Sequence, residues 1–260
     1  MLHSHADRLS RPCCRGHTEQ MSDQDLEMYG RLASWSDLLT PPSDYAADAD
    51  EVLRLLEEHA SAPLETALEL GSGGGHLASH LVGRLRMTLT DLSPGMLAVN
   101  RKLNPDAEHI EGDMRTLRLG QSFDTVIIRD AISYMTSEAD LRAALETAWV
   151  HLRPGGVAIF LPDWVRDSYR PHIEHGGSDE GDRGLRYLEW DRHIEPDGHT
   201  VNADYVIVTR DGDDVSVYSE VHNLGIFARA TWLDLLDAIG FESHRVVGAG
   251  LDIFIGVRPG

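Results

Sequence analysis

The chain has 260 residues, 42% of them hydrophobic, which suffices for one well-buried domain carrying an insertion. Its formal charge of −20, from 43 acids against 23 bases, repels phosphate backbones and argues against a nucleic-acid substrate. No apolar run approaches the ~20 residues of a membrane span, and the two cysteines, Cys13 and Cys14, are adjacent, which removes a disulfide framework, a metal-ligand spacing and a buried cysteine nucleophile from consideration.

Residues 1–20 combine His, Ser, Arg, Pro and Cys with little apolar content. They lack the hydrophobic centre of a secretory signal and read as a disordered tail, with Met21 as the expected true start. From there Tyr29, Leu32, Trp35, Leu38 and Leu39 recur at near-helical spacing up to the break Thr40-Pro41-Pro42. Ser43 is the expected N-cap of a second helix from Asp44 to about His59, with Tyr45, Ala49, Val52, Leu53 and Leu56 on one face.

A short buried strand over 66–70 then runs into Gly71-Ser72-Gly73-Gly74-Gly75-His76 and a helix to about Val82. Glycines allow positive φ and close approach of a ligand, and the unpaired amides of the following helix suit an anionic oxygen. A dinucleotide loop, G-x-G-x-x-G, needs its third glycine where His76 stands. The order found is E-x-G-x-G-x-G, from Glu69 to Gly75.

That pattern resembles the first motif of the class I S-adenosylmethionine-dependent methyltransferases. The resemblance implies an α/β fold, a doubly wound seven-stranded Rossmann-like sheet. It also implies S-adenosyl-L-methionine as cofactor, with Glu69, Gly71, Ser72, Gly73 and Gly75 around it. In such enzymes the N-terminal helix folds over the cofactor as a lid, which makes Tyr29 an expected cofactor contact and Trp35 an expected acceptor contact.

Arg86 to Asp91 is the second strand. Asp91 follows Gly71 by 91 − 71 = 20 residues, the separation at which α/β cofactor sites place a carboxylate on the ribose hydroxyls. Leu92 and Met96 flank it as further cofactor contacts, and Ser93-Pro94 supplies the N-cap and N1 of the next helix, which ends near Asn104-Pro105. The third strand, 108–111, closes on Gly112-Asp113-Met114. This matches the third motif of the resembled family, where the Asp accepts from the adenine amino group and the next residue packs on the ring.

Phe123 to Ile128 reads as a central strand, apolar on both faces, that leads into Arg129-Asp130-Ala131-Ile132-Ser133-Tyr134. By the resemblance this strand end lies beneath the methionine part of the cofactor, so Arg129 is placed with the cofactor, Tyr134 with the acceptor and Asp130 among candidate bases. The Asn/Asp-Pro-Pro-Tyr/Phe signature of amide and base N-methylation is missing. Ser137 caps a helix that ends at Leu152-Arg153-Pro154-Gly155-Gly156, before a fifth strand over 157–161. Asp163 and Trp164 follow at the strand end where ligands bind in doubly wound sheets.

A polar loop reaches Gly184, and three alternating strands follow, 185–194, 201–210 and 215–227, joined by turns with Asp197-Gly198 and Asp211-Gly212. They read as an antiparallel β-sheet inserted over the active site, with Glu189, Trp190, Arg192, His193 and His222 as its best chemical content. Thr231 is the expected cap of a helix over 232–239 stopped by Gly240, and two closing strands end the chain. The division is thus a tail (1–20), an N-terminal helical lid (21–62), a cofactor-binding core (63–163), the inserted sheet (164–229) and a return to the core (230–260).

The architecture past residue 163 is similar to that of small-molecule methyltransferases of secondary metabolism, among them the amino-sugar N,N-dimethyltransferases. The expected reaction is in-line methyl transfer to a small-molecule N or O acceptor. A hydroxyl acceptor would call on Asp130, His193 or His222 as base. The expected partners are that acceptor and a second copy in a homodimer, with no nucleic acid, no membrane and no metal, in the cytoplasm. The competing readings are an NAD-dependent oxidoreductase of Rossmann type and a cofactor-binding protein without catalysis.

Overall fold

The computed structural model describes residues 26–248 and 250–260; the expectations for the tail, for the two cysteines and for a start at Met21 lie outside them. The main sheet grows outward from β1 (Thr66–Leu70), which pairs in parallel with β2 (Arg86–Asp91) on one side and β4 (Phe123–Ile128) on the other. Outside these lie β3 (Glu108–Glu111), parallel to β2, and β5 (Leu152–Phe160), parallel to β4. Antiparallel β12 (Leu251–Val257) and β11 (Glu242–Gly248) complete seven strands in the order β11-β12-β5-β4-β1-β2-β3.

All six residues of β4 are buried, because helices cover both faces of the sheet. On one face α5 (Glu138–His151) and α6 (Arg229–Ile239) close a cluster built on Val126, Ile128, Phe160, Leu145, Trp232 and Phe254. On the other, α2 (Ala46–His59) and α3 (Ala78–Leu81) bury Val52, Leu55, Leu56 and Leu81 against Ala67, Ile127 and Ile159. The fourth helix, α4 (Pro94–Leu103), starts at Ser93, whose hydroxyl accepts from the Met96 amide at 3.1 Å.

Between β5 and α6 the chain makes a second sheet, β10-β9-β8-β6, from β6 (Ile173–Gly176), β8 (Arg183–Asp191), β9 (Thr200–Asp211) and β10 (Asp214–Gly225), with β7 (Asp179–Glu180) also paired to β8. The Asp211-Gly212 signal is the β9–β10 hairpin turn, with Gly212 at φ +60°. The expected loop up to Gly184 therefore contains two strands. They are short, and their ladder comes from β8 rather than from a pattern of their own.

Three other expectations are corrected. The apolar set from Tyr29 to Leu39 is no continuous helix: a 3₁₀ turn (Ala33–Trp35) and a single turn, α1 (Ser36–Leu39), follow irregular backbone whose Glu27 and Met28 amides are taken by the Glu220 carboxylate. Ser43 sits inside a 3₁₀ turn (Pro42–Tyr45) and its hydroxyl donates to Asp44, so α2 starts later, at Ala46. Thr231 lies within α6, which begins at Arg229, whose amide donates to Asp167 Oδ2 at 2.9 Å, a cap supplied from outside the helix.

Candidate active site

After β1 the backbone turns through Gly71 at φ +70° and Gly75 at φ +82°. A Cβ on Gly71 would lie 2.4 Å from that of Ala131, and one on Gly75 would lie 2.2 Å from Asn100 Oδ1, so both positions require glycine on contact as well as conformation. The loop is braced from behind by α4. Asn100 Nδ2 donates to Ser72 Oγ at 3.0 Å and to the Gly73 carbonyl at 3.1 Å, and Asn104 Nδ2 donates to the Gly75 carbonyl at 2.9 Å.

In front of the loop, Asp91 ends β2. Its carboxylate accepts from the Gly73 amide at 2.7 Å and the Ser93 amide at 2.8 Å. Burial raises its pKa, and these amides limit the rise. Glu69 is buried at the end of β1, its carboxyl pushed up to about 8 by desolvation, and its Oε2 has no hydrogen-bond partner. Burial also opposes ionisation of Asp113, but the Arg115 guanidinium, 2.6 Å from Oδ2, outweighs it and holds that carboxyl below the usual range.

At the ends of β4 and β5 stand two more acids. Arg129 pairs with Asp130 and, at 2.6 Å, with Asp48 of α2, and its guanidinium lies over the Tyr45 ring at 4.5 Å. Burial, and then the neighbouring Asp130, raise the Asp163 carboxyl well above the carboxylate range.

Deeper lies a hydrogen-bonded chain from lid to inserted sheet. Tyr29 Oη is 2.6 Å from Tyr134 Oη, which is 2.7 Å from His222 Nδ1, and His222 Nε2 is 2.9 Å from Glu220 Oε1. A carboxylate only accepts, so Nε2–H donates to Glu220, and in that tautomer Nδ1 faces the Tyr134 hydroxyl as its acceptor. Both His222 and Glu220 are buried.

These groups line one cavity of about 500 Å³ between the main sheet and the inserted one. It gathers Tyr29, Trp35, Glu69, Gly71, Ser72, Gly73, Asp91, Leu92, Met96, Asp113, Met114 and Arg129, together with Asp130, Tyr134, Asp163, Trp164 and His222. Two residues expected there are not part of it. Gly75 points back into Asn100 and Asn104, and His193 is exposed in the turn after β8, so its place as a candidate base is withdrawn.

Sequence reading missed Tyr45, His172, Asp191 and Tyr205, which also line the cavity, and Glu220 behind it. The alternation Leu185, Tyr187, Glu189, Asp191 along β8 was the available signal for Asp191, since residues two apart share a face. The same alternation linked Glu220 to His222 in β10, whereas His172 had no such signal, because it lies outside the strand pairing. Among the described residues no group of three or more His, Cys, Asp or Glu is placed to hold a metal ion, and no helix is long and apolar enough to cross a membrane.

Residues 67–156 match the family model described as a methyltransferase domain. The dTDP-3-amino-3,6-dideoxy-alpha-D-glucopyranose N,N-dimethyltransferase of Streptomyces fradiae is 27% identical over 251 residues, covering 94% of this chain and 97% of that protein. The crystal structure of Streptomyces venezuelae DesVI superposes with a TM-score of 0.80 at 25% identity, over 88% of this chain and 98% of the other. SAM-bound CalS10 from Micromonospora echinaspora, an amino pentose methyltransferase, superposes with a TM-score of 0.72 at 25% identity, over 82% of this chain and 91% of the other. The cavity fits that cofactor: the orphaned Glu69 Oε2 offers a partner for an ammonium, and the carboxylate of Asp91 and the wall of Met96 and Met114 suit a ribose diol and a purine face.

Proposed function

We propose that this chain, as a class I S-adenosylmethionine-dependent methyltransferase acting on a small molecule, methylates the nitrogen of an amino group on a sugar-like acceptor. The observation that carries the reading is the pair Asp130 and Asp163 beside the Tyr29–Tyr134–His222–Glu220 chain: acids that draw in an ammonium next to a route that removes its proton. The names of the relatives, sugar N-methyltransferases, support it. The oxidoreductase reading finds no support, since the place of a third dinucleotide glycine holds His76, whose Nε2 is 2.8 Å from Asp37.

The bound cofactor supplies an electrophilic sulfonium methyl group. Glu69, Asp91 and Asp113, with the glycine loop, would hold and orient it, while Tyr29 and Trp35 of the lid would exclude water. The acceptor enters as an ammonium, attracted by Asp130 and Asp163. Its proton passes to the Tyr134 oxygen as the Tyr134 proton moves to His222 Nδ1, and Glu220 stabilises the imidazolium. Asp130, Asp163 and Tyr134 would thereby deliver a neutral, oriented amine, and orientation of that sort contributes up to ~7–11 kcal/mol in favourable systems.

Incubation with methyl-labelled cofactor and a panel of amino sugars and their hydroxyl analogues tests the assignment. Methyl carbons bonded to nitrogen in the NMR spectrum of the product are expected. Label found only on oxygen would overturn it.

A further inference from the structure

The floor of the inserted sheet carries acids that the transfer of one methyl group does not use. Strand register sets Glu174 opposite Glu189, Glu189 opposite Tyr205, and Tyr205 opposite Glu220. Like charges facing each other across an antiparallel pair are destabilising. Asp191 follows on the same face of β8, with its side chain only 3% exposed; Oδ2 is 3.0 Å from His172 Nδ1, and Oδ1 accepts no hydrogen bond. Glu174, Glu189 and Asp191 all line the cavity, with Trp164 beside them in edge contact with His172.

We propose that Glu174, Glu189 and Asp191 form a second cation subsite, and that the acceptor carries a second ammonium group which this subsite holds while the first is methylated. The inference rests on the reading of the enzyme as an amine methyltransferase and names its substrate class: a compact molecule with at least two basic amino groups. Three carboxyls with an aromatic wall complement an ammonium on both charge and π-face. Burial pushes the Glu189 carboxyl up to about 7 and raises that of Asp191, the condition of acids sharing a proton where a cation would stand.

The same inventory disfavours a diphosphate. Two guanidiniums face the cavity, Arg115 and Arg129, and both are committed, the first to Asp113 and Asp140, the second to Asp48 and Asp130. The nucleotide-linked amino sugar named for the Streptomyces fradiae enzyme would bring its phosphates to a cavity rich in acids.

Calorimetric titration of the enzyme saturated with S-adenosylhomocysteine tests this with 2-deoxystreptamine, a diamine, glucosamine, a monoamine, and thymidine diphosphate. The diamine should bind at least tenfold more tightly than the monoamine, and thymidine diphosphate more weakly than either. The double substitution Glu189→Gln, Asp191→Asn should abolish the preference and leave glucosamine and cofactor affinities within twofold. Equal binding of the two amines, tighter binding of thymidine diphosphate, or a preference that survives the double substitution would overturn the subsite. Should the double variant not fold, the wild-type comparison decides alone. A diamine preference without N-methylation of either amine would instead sink the transfer reading and leave the subsite standing.

Discussion

The Tyr134 phenol and the His222 imidazole, 2.7 Å apart, join two segments that share no secondary structure: a 3₁₀ turn after the central strand and the last strand of the inserted sheet. If the pair relays the acceptor proton, Tyr134→Phe should lower kcat by about 10²-fold or more at neutral pH, with cofactor affinity unchanged. The deficit should shrink at high pH, where the amine arrives already neutral. A kcat/KM profile against pH checks this, and a deficit constant across pH would show that Tyr134 serves only to shape the site.

Glu69 should couple cofactor binding to pH. With its carboxyl raised to about 8, it is largely protonated in the free protein at neutral pH, while a cationic ligand favours the carboxylate. Affinity for the cofactor should therefore rise as pH climbs toward and through about 8, and Glu69→Gln should flatten the rise. For stability the sign is opposite. A carboxyl with a raised folded pKa favours the fold fully at pH below its unfolded value and loses that contribution as pH rises through the folded one. Glu69→Gln should accordingly raise the Tm of the ligand-free protein by several degrees at pH 8 to 9, measured by calorimetry, and leave it unchanged near pH 4.

Asp91→Ala should weaken cofactor binding by an order of magnitude or more. Two effects act together: the ribose hydroxyls lose a charged acceptor, and the amides of Gly73 and Ser93 lose the group that fixes the loop. Asp91→Asn keeps one amide acceptor and should fall between. Affinity unchanged in both variants by calorimetry would move the ribose site elsewhere.

Asn100→Leu should destabilise the fold by about 1–3 kcal/mol, since it strips the buried Ser72 hydroxyl and the half-buried Gly73 carbonyl of their donor. Thermal unfolding measures the loss. Cofactor affinity should drop in the same variant, because the glycine loop no longer has a fixed backing.

The main sheet was legible in the sequence because its central strand β4, buried throughout, is a near-continuous apolar run, and because the glycines, Asp91 and Gly112-Asp113-Met114 stand at fixed places relative to strand ends. The Ser93 and Ser137 caps were equally local. What escaped depends on contacts distant in sequence. The segment from Leu26 to Leu39 takes its shape from Glu220 and Ser93 rather than from its own periodicity, and Ser93 Oγ donates to the Tyr29 carbonyl at 2.7 Å. Strand β6 exists only as a partner of β8. His193 and His222 could not be told apart by spacing, because pairing with β9 carried one into the interior and left the other in a turn.

The second sheet enters the molecule after β5 and leaves before α6, as one uninterrupted excursion. That excursion carries Glu189, Asp191 and His222 to the cavity, while Asp130, Tyr134 and Asp163 reach the same cavity from the main sheet. Because Glu220 of that excursion also holds the Glu27 and Met28 amides, a change in the length or register of β10 would shift the N-terminal strap along with the cavity wall.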